Sequence, residues 1–240
     1  NRLRRWFKQN HKMTFQGYLR SIRLGQAFGH LVEGRKVVET ALDHGYESLS
    51  GFSSAFKKTI GTHPKGSAHK NIIQVYQILT PLGPMLAGSV KEGICLLEFT
   101  DRRMLESELK DLCKRLKAPL VVSFGPHLKE LKRQLGEYFV GRRKNFTVPL
   151  VTPGSEFQNL VWKGLQKIPY GETRSYLDQA RAIERPKAVR AVANANGANR
   201  ISILIPCHRV IGSSGDLVGY GGGLWRKKYL LELEGVRPWR

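Results

Sequence analysis

The chain holds 240 residues in 27.1 kDa, room for one to three domains. An apolar share of 41% and a charged share of 25% sit near the globular average and exclude wholesale disorder. Forty Lys and Arg against nineteen Asp and Glu give a net charge of +21, which argues against an acidic ligand surface and points to a polyanion: DNA, RNA or an anionic membrane.

In chain order, Leu3, Trp6 and Phe7 recur at helical spacing over Asn1–Asn10, with Arg2, Arg4, Arg5 and Lys8 on other faces. The chain opens inside this helix and is read as a piece of something longer. Thr14 is placed to cap a helix from Phe15 to Val32, whose apolar set is Tyr18, Leu19, Ile22, Ala27, Phe28 and Leu31; Gly34 ends it. Lys36–Leu42 predicts a short helix, His44-Gly45-Tyr46 a turn, and Ser48–Ile60 another helix closed by Gly61. A helix, a glycine turn and a second helix make a helix-turn-helix pattern.

The character changes after Lys70, the best linker. Ile72–Leu79, Met85–Ser89 and Ile94–Phe99 predict strands joined by turns at Pro81-Leu82-Gly83-Pro84 and Glu92-Gly93. Met104–Leu116 and His127–Phe139 follow as amphipathic helices. A loop over Arg143–Ser155 marks the second boundary. Helical pattern resumes at Phe157, and Tyr176–Ile183 with Pro186–Ala195 reads as a helix pair. Ile201–Ile205 is a short apolar run, read as a buried strand that ends at Pro206-Cys207-His208-Arg209.

No apolar run approaches the roughly 20 residues of a membrane span, so no membrane partner is expected. Cys95, Cys113 and Cys207 are too few and too odd for a disulfide framework, which fits a reducing cytoplasm. They and the histidines lack tight ligand spacing, so neither a metal nor a cofactor is expected. The basic excess is +9 over residues 1–70, +5 over 71–150 and +7 over 151–240.

Ile203-Leu204-Ile205-Pro206-Cys207-His208-Arg209-Val210 is the segment that carries chemistry. It sets a thiol at the end of a buried apolar run beside an imidazole. Burial raises a thiol's pKa, whereas a neighbouring imidazole and cations favour thiolate. Adjacent residues of an extended strand face opposite ways, so a direct Cys–His bond needs a turn; a water could also bridge them. An inert core cysteine is the plainer reading of the spacing alone.

Pro206-Cys207-His208-Arg209-Val210 resembles the active-site signature of the methylated-DNA–protein-cysteine methyltransferases, which take alkyl groups from O6 of guanine. Ile168-Pro169-Tyr170-Gly171-Glu172-Thr173 with Ser175-Tyr176 resembles the stretch before that family's DNA-binding helices. Arg185 to Val192 resembles its recognition helix, and Asn199 its asparagine. Gly219 to Trp225 and Leu230 to Gly235 resemble its closing loop and helix. The resemblance covers about 157–235, with a looser fit back to 72.

That resemblance implies a division of labour. Cys207 is the acceptor that is alkylated once and irreversibly. His208 deprotonates it through a water, Glu234 orients the imidazole, Asn199 braces the segment carrying Cys207, and Tyr176 gives a proton to the departing guanine. Base flipping from the minor groove is implied, with Arg190 filling the vacated stack and Lys187 and Ala191 on the DNA face. Tyr220, Gly221, Gly222 and Val210 are expected to form the base pocket. Some members carry Ser where Gly221 stands, which leaves the accepted range of adducts open; O4-methylthymine is included among the expected substrates.

Residues 1–67 resemble the tail of an AraC-type DNA-binding domain through Arg5-Trp6-Phe7-Lys8, Gly45-Tyr46-Glu47-Ser48, Phe52 to Lys58 and Gly61-Thr62-His63-Pro64. Arg5, Lys8, Ser53, Ser54 and Lys57 are its expected DNA contacts. The two resemblances together match the arrangement of the Ada-type adaptive-response proteins. The cysteine cluster of the zinc-bearing repair domain that such proteins often carry is not seen. The implied fold is multidomain α and α/β: an all-α AraC-type helix-turn-helix fragment over 1–67, a small α/β (ribonuclease-H-like) domain over 72–150, and a mainly helical winged/helix-turn-helix-like alkyltransferase domain over 151–240. The implied partners are double-stranded DNA containing O6-alkylguanine, promoter DNA and RNA polymerase, with the chain a monomer in a bacterial cytoplasm. The competing function is a transcription regulator whose alkyltransferase domain only senses damage.

Overall fold

The computed structural model describes residues 14–60, 63–66 and 71–236. The predicted helix over Asn1–Asn10, with Arg5 and Lys8, lies outside these residues, as does Gly61. The chain divides into two compact units, one of residues 1–76 and 116–126 and one of residues 77–115 and 127–240.

In the first unit, helix α1 (Phe15–Val32) starts where Thr14 Oγ1 accepts a hydrogen bond from the Gly17 N–H at 3.1 Å. Helices α2 (Val37–Asp43) and α3 (Leu49–Ile60) follow, separated by a turn in which Gly45 takes φ 72°. Their apolar faces meet in one core of Leu24, Phe28, Leu31, Ala41, Phe52, Phe56 and Ile60. Leu24 lies at its centre, whereas Leu19, expected in the stripe, stays exposed. Val121 and Ile72 complete that core. Val121 belongs to strand β4 (Leu120–Val122), which is too short to show a period in sequence and was not expected. It pairs in parallel with the start of strand β1 (Ile73–Thr80), Ile73 opposite Leu120.

Glycine at position 25 of α1 follows from this packing. A β-carbon there would sit 1.9 Å from the Val122 carbonyl oxygen. Gly25→Ala is therefore expected to destabilise this unit by about 1–3 kcal/mol, as overpacking does. Urea unfolding followed by circular dichroism checks it.

In the second unit, strands β2 (Gly83–Val90) and β3 (Gly93–Phe99) form an antiparallel pair with a bulge at Gly88/Ser89. Every residue of β3 is buried, because two later segments cover its free edge. Ile94 exchanges backbone bonds with Pro149 and Val151, and Leu97 exchanges them with Arg200 and Ser202 at 2.8–2.9 Å. Helices α4 (Leu105–Leu116) and α5 (Pro126–Phe139) close this part.

Helix α6 (Glu156–Gln166) opens with a Ser155/Gln158 capping box and buries Val161, Trp162 and Leu165. Strand β5 (Arg174–Ser175) leads into helix α7 (Tyr176–Ala182), capped by Ser175 and Asp178. Helix α8 (Val189–Gly197) starts three residues later than expected, since Arg185 to Ala188 close a turn through the Ala188 N–H and the Arg185 carbonyl. The buried amides of Gln179 and Asn196 exchange two hydrogen bonds at 3.1 and 2.7 Å, which locks α7 to α8. Strand β6 (Val210–Ile211) pairs with β5, and helix α9 (Leu224–Leu233) ends the described chain.

The expected strand over Ile201–Ile205 is instead a compact buried turn. Only Ile201 and Ser202 use the edge of β3. Ile203 then takes a left-handed φ of 72°, and the Ile205 N–H bonds back to the Ile201 carbonyl at 3.0 Å. The reversal feeds a single turn of 3₁₀-helix over Cys207–Arg209.

Candidate active site

Asn199 holds the turn that presents Cys207. Its Oδ1 accepts from the Ile201 N–H at 3.0 Å, and its Nδ2 donates to the Ile205 carbonyl at 2.9 Å and to Cys207 Sγ at 3.2 Å. Three bonds from one buried amide set the sulfur against the backbone behind it. Asn199→Ala leaves the buried Ile201 N–H unpaired and removes the amide's bonds to the Ile205 carbonyl, which keeps the Cys207 N–H, and to the sulfur. It is expected to lower the unfolding free energy by about 2–4 kcal/mol, read from denaturant midpoints.

Cys207 is 8% exposed and lines a cavity of about 110 Å³. Tyr176, Ala193, Asn196, Gly197, Gly219, Tyr220 and Gly221 complete the wall. Gly222 and Val210, expected in the pocket, do not line it. Gly222 is buried against Phe99, and Val210 is fully buried where β6 meets β5. Gly219, at φ 54°, lies so close to Tyr176 that a β-carbon would stand 2.9 Å from the phenol oxygen.

Electrostatics set the resting state of the groups. Burial pushes the Cys207 thiol up, opposed by the Asn199 bond, and the nearby Glu98 pushes the same way as burial. The sulfur therefore rests as a thiol. Burial holds His208 below the ordinary imidazole range despite the Glu234 carboxylate. Burial first, and then Cys207, raise the Tyr176 phenol, so it stays protonated at neutral pH.

Glu234 is the hub. Its Oε1 accepts from Tyr138 Oη at 2.8 Å and Arg209 Nη2 at 2.9 Å and lies 3.0 Å from His208 Nε2. Its Oε2 accepts from Arg209 Nε at 2.8 Å and, more loosely, from the Gly171 N–H at 3.4 Å. Burial works against the charge, but the His208 and Arg209 bonds outweigh it and hold the carboxyl down at about 2. An ionised carboxylate facing Nε2 fixes the proton there, leaving Nδ1 with a lone pair. That Nδ1 is buried and has no hydrogen-bond partner among the described residues.

Lys227 is fully buried on α9 and donates to the carbonyls of Val210, Val218 and Gly219, the last at 3.3 Å. Burial pulls its ammonium down to about 8, and a thiolate at Cys207 favours the charge. It ties together the two ends of the loop that walls the cavity. Sequence reasoning passed over it, although Lys227, Leu230, Leu231 and Glu234 share a helical face and show a cation on a buried stripe. Tyr138 and the pair Glu98–Arg102 were missed as well. An acid inside the apolar run Ile94–Phe99 was the available signal for Glu98.

The expected DNA contacts lie elsewhere in the fold. Lys187, Arg190 and Ala191 are exposed at the start of α8, opposite its buried Val192, Ala195 and Asn196. In the other unit, Ser54 and Lys57 are exposed and Ser53 half-buried on α3.

Residues 156–236 match the family described as 6-O-methylguanine DNA methyltransferase, DNA binding domain. Residues 75–152 match the ribonuclease-like domain of the same methyltransferase, and residues 1–67 match a helix-turn-helix domain. A methylated-DNA–protein-cysteine methyltransferase of Methanosarcina acetivorans is 43% identical over 157 residues, covering 65% of this chain and 94% of that protein. The bifunctional transcriptional activator/DNA repair enzyme Ada of Escherichia coli is 36% identical over 237 residues, covering 97% of this chain and 66% of that protein. The crystal structure of the Mycobacterium tuberculosis O6-methylguanine methyltransferase superposes with a TM-score of 0.58 at 40% identity, covering 68% of this chain and 93% of that one. A complex of the Mycobacterium tuberculosis protein with DNA gives the same TM-score over 67% and 92%. The chain belongs to the methylated-DNA–protein-cysteine methyltransferase family, in the arrangement that joins this DNA-repair enzyme to a helix-turn-helix regulatory domain.

Proposed function

We propose that Cys207 is the acceptor of a single, irreversible alkyl transfer from O6-alkylguanine in duplex DNA, and that residues 1–67 serve as an AraC-type reader of promoter DNA. The observation that carries the first part is the thiol at the wall of a base-sized cavity, next to an imidazole whose free nitrogen is Nδ1. His208 Nδ1 takes the Cys207 proton through a bridging water, and the Glu234 carboxylate stabilises the imidazolium that forms. The thiolate attacks the alkyl carbon, the carbon–O6 bond breaks, and the sulfur–carbon bond forms. Tyr176 gives its proton to the guanine as it leaves, so the leaving group departs neutral. Asn199 keeps the sulfur in place throughout.

The target base must leave the stack to reach Cys207, at a cost of a few kcal/mol. The exposed start of α8 supports the DNA-contact reading of Lys187, Arg190 and Ala191, with Arg190 filling the gap. The ribonuclease-H-like and winged helix-turn-helix descriptions of the two alkyltransferase domains belong to the same reading. So do action as a monomer in a reducing bacterial cytoplasm and contact with RNA polymerase at the promoter. Incubation with a duplex carrying methyl-labelled O6-methylguanine tests the core of it. One label per chain is expected, and no uptake would refute the reading.

A further inference from the structure

We infer that Arg102 is a positioning residue for this reaction, its guanidinium occupying the space beside the base loop that a side chain at position 221 would need. The inference rests on the proposed transfer at Cys207 and concerns how the loop and the Cys207 brace are held together.

Arg102 follows β3, and its side chain is 7% exposed. Nη1 donates to Glu98 Oε2 at 2.6 Å and more loosely to the Asn199 carbonyl at 3.5 Å. Nη2 donates to the Gly197 carbonyl at 2.7 Å and pairs with Glu108 Oε1 at 2.8 Å. Glu98 is itself fixed by the Ser202 hydroxyl at 3.0–3.1 Å and the Phe99 N–H at 2.9 Å. The guanidinium thus joins the sheet to the C-terminal end of α8 and to the backbone of Asn199, the residue that holds the sulfur.

The same group lies against the loop. A β-carbon on Gly221 would stand 2.2 Å from Arg102 Nη1 and 2.7 Å from its central carbon. A long side chain normally swings away from such an intrusion. This one is pinned by two carboxylates and two carbonyls, so moving it breaks contacts that place Asn199. The backbone at Gly221 is not in the left-handed region, so nothing in its conformation excludes a larger residue. Space alone selects glycine there. In this chain, the wall at position 221 is therefore shaped from outside the loop, by a residue more than a hundred positions earlier.

Arg102→Lys, Gly221→Ala and the double variant test this in the full chain, with the methyl-labelled duplex. The readouts are the single-turnover transfer rate at saturating duplex, the affinity for undamaged duplex, and the melting temperature. Gly221→Ala is expected to slow transfer at least about tenfold with duplex affinity within about twofold. Lysine is shorter and frees the contested space, so the double variant is expected to recover at least about threefold over Gly221→Ala. Transfer by Gly221→Ala within about twofold of the parent, or losses that multiply in the double variant, would overturn the inference. If Arg102→Lys does not fold, Arg102→Gln supplies the shorter side chain for the same double-variant comparison, and its failure to recover transfer over Gly221→Ala would overturn the inference. A parent chain that takes up no label refutes the acceptor reading itself, a result distinct from parental activity with unaffected variants.

Discussion

Cys207→Ser is expected to reduce label uptake from a methylated duplex by at least about a thousandfold while binding that duplex as the parent does. A serine hydroxyl in the same pocket meets the same Asn199 amide and the same imidazole, but its alkoxide lies out of reach of a neutral histidine. The two other cysteines do not offer a substitute of equal quality. Cys95 is fully buried, and burial pushes its thiol up to about 12. Cys113 lies on α4 and is not among the residues that wall the cavity. Peptide mass mapping of the labelled parent places the added methyl group; its appearance on Cys95 or Cys113 would reject the assignment. Rapid-quench kinetics on the serine variant supplies the rate.

Glu234→Gln is the second large effect, and it strikes stability and chemistry together. The carboxylate accepts from Tyr138, from Nε and Nη2 of Arg209 and from the Gly171 backbone, besides pairing with His208. An amide keeps one acceptor oxygen and turns an NH₂ toward these donors. Leaving the buried Arg209 guanidinium without its counter-ion is expected to cost about 3–5 kcal/mol. Transfer is expected to fall about a hundredfold or more, because the imidazolium formed during deprotonation loses its counter-charge. The pH dependence carries a definite sign. The folded pKa is depressed from 4.5 to about 2, so the stabilisation is full above 4.5 and drains away as pH falls toward 2. A depression of that size corresponds to about 3 kcal/mol. Unfolding free energies of parent and variant, from urea melts, should therefore converge between pH 5 and pH 2 by about that amount. A constant gap would show that the carboxylate's charge is not what stabilises the parent.

Much of the fold could be read in advance wherever a local rule decided it. Thr14, Ser155 and Ser175 are capping residues, and the helices begin at them. The β2–β3 pair follows from two short apolar runs joined by the Glu92-Gly93 turn. The errors have one cause, a distant partner that overrides the local pattern. Ile201 to Ile205 is rich in β-branched apolar residues, the composition of a buried strand. It is also the composition of a buried turn, and only the edge of β3 and the Asn199 amide decide between them. The resemblance puts Val210 in the pocket, but the 3₁₀ turn over Cys207–Arg209 carries the chain past the cavity before Val210 is reached. Arg102 and Glu98 stand four residues apart, a spacing that has meaning on a helix and none at the end of a strand. Their pairing depends on the carbonyls of Gly197 and Asn199, about a hundred residues away.

The small cavity around Cys207 has a consequence for how such a protein is shaped. In the proposed reaction the repaired base swings back into the duplex, and the alkyl group remains on the sulfur. No free product ever has to diffuse out. A turnover enzyme must keep an exit for its product and loosen its grip after chemistry, which often limits its rate. This site faces no such demand. A pocket of about 110 Å³, with its thiol braced by a buried amide, has to admit one base and return it once, and the alkyl group stays where it was delivered.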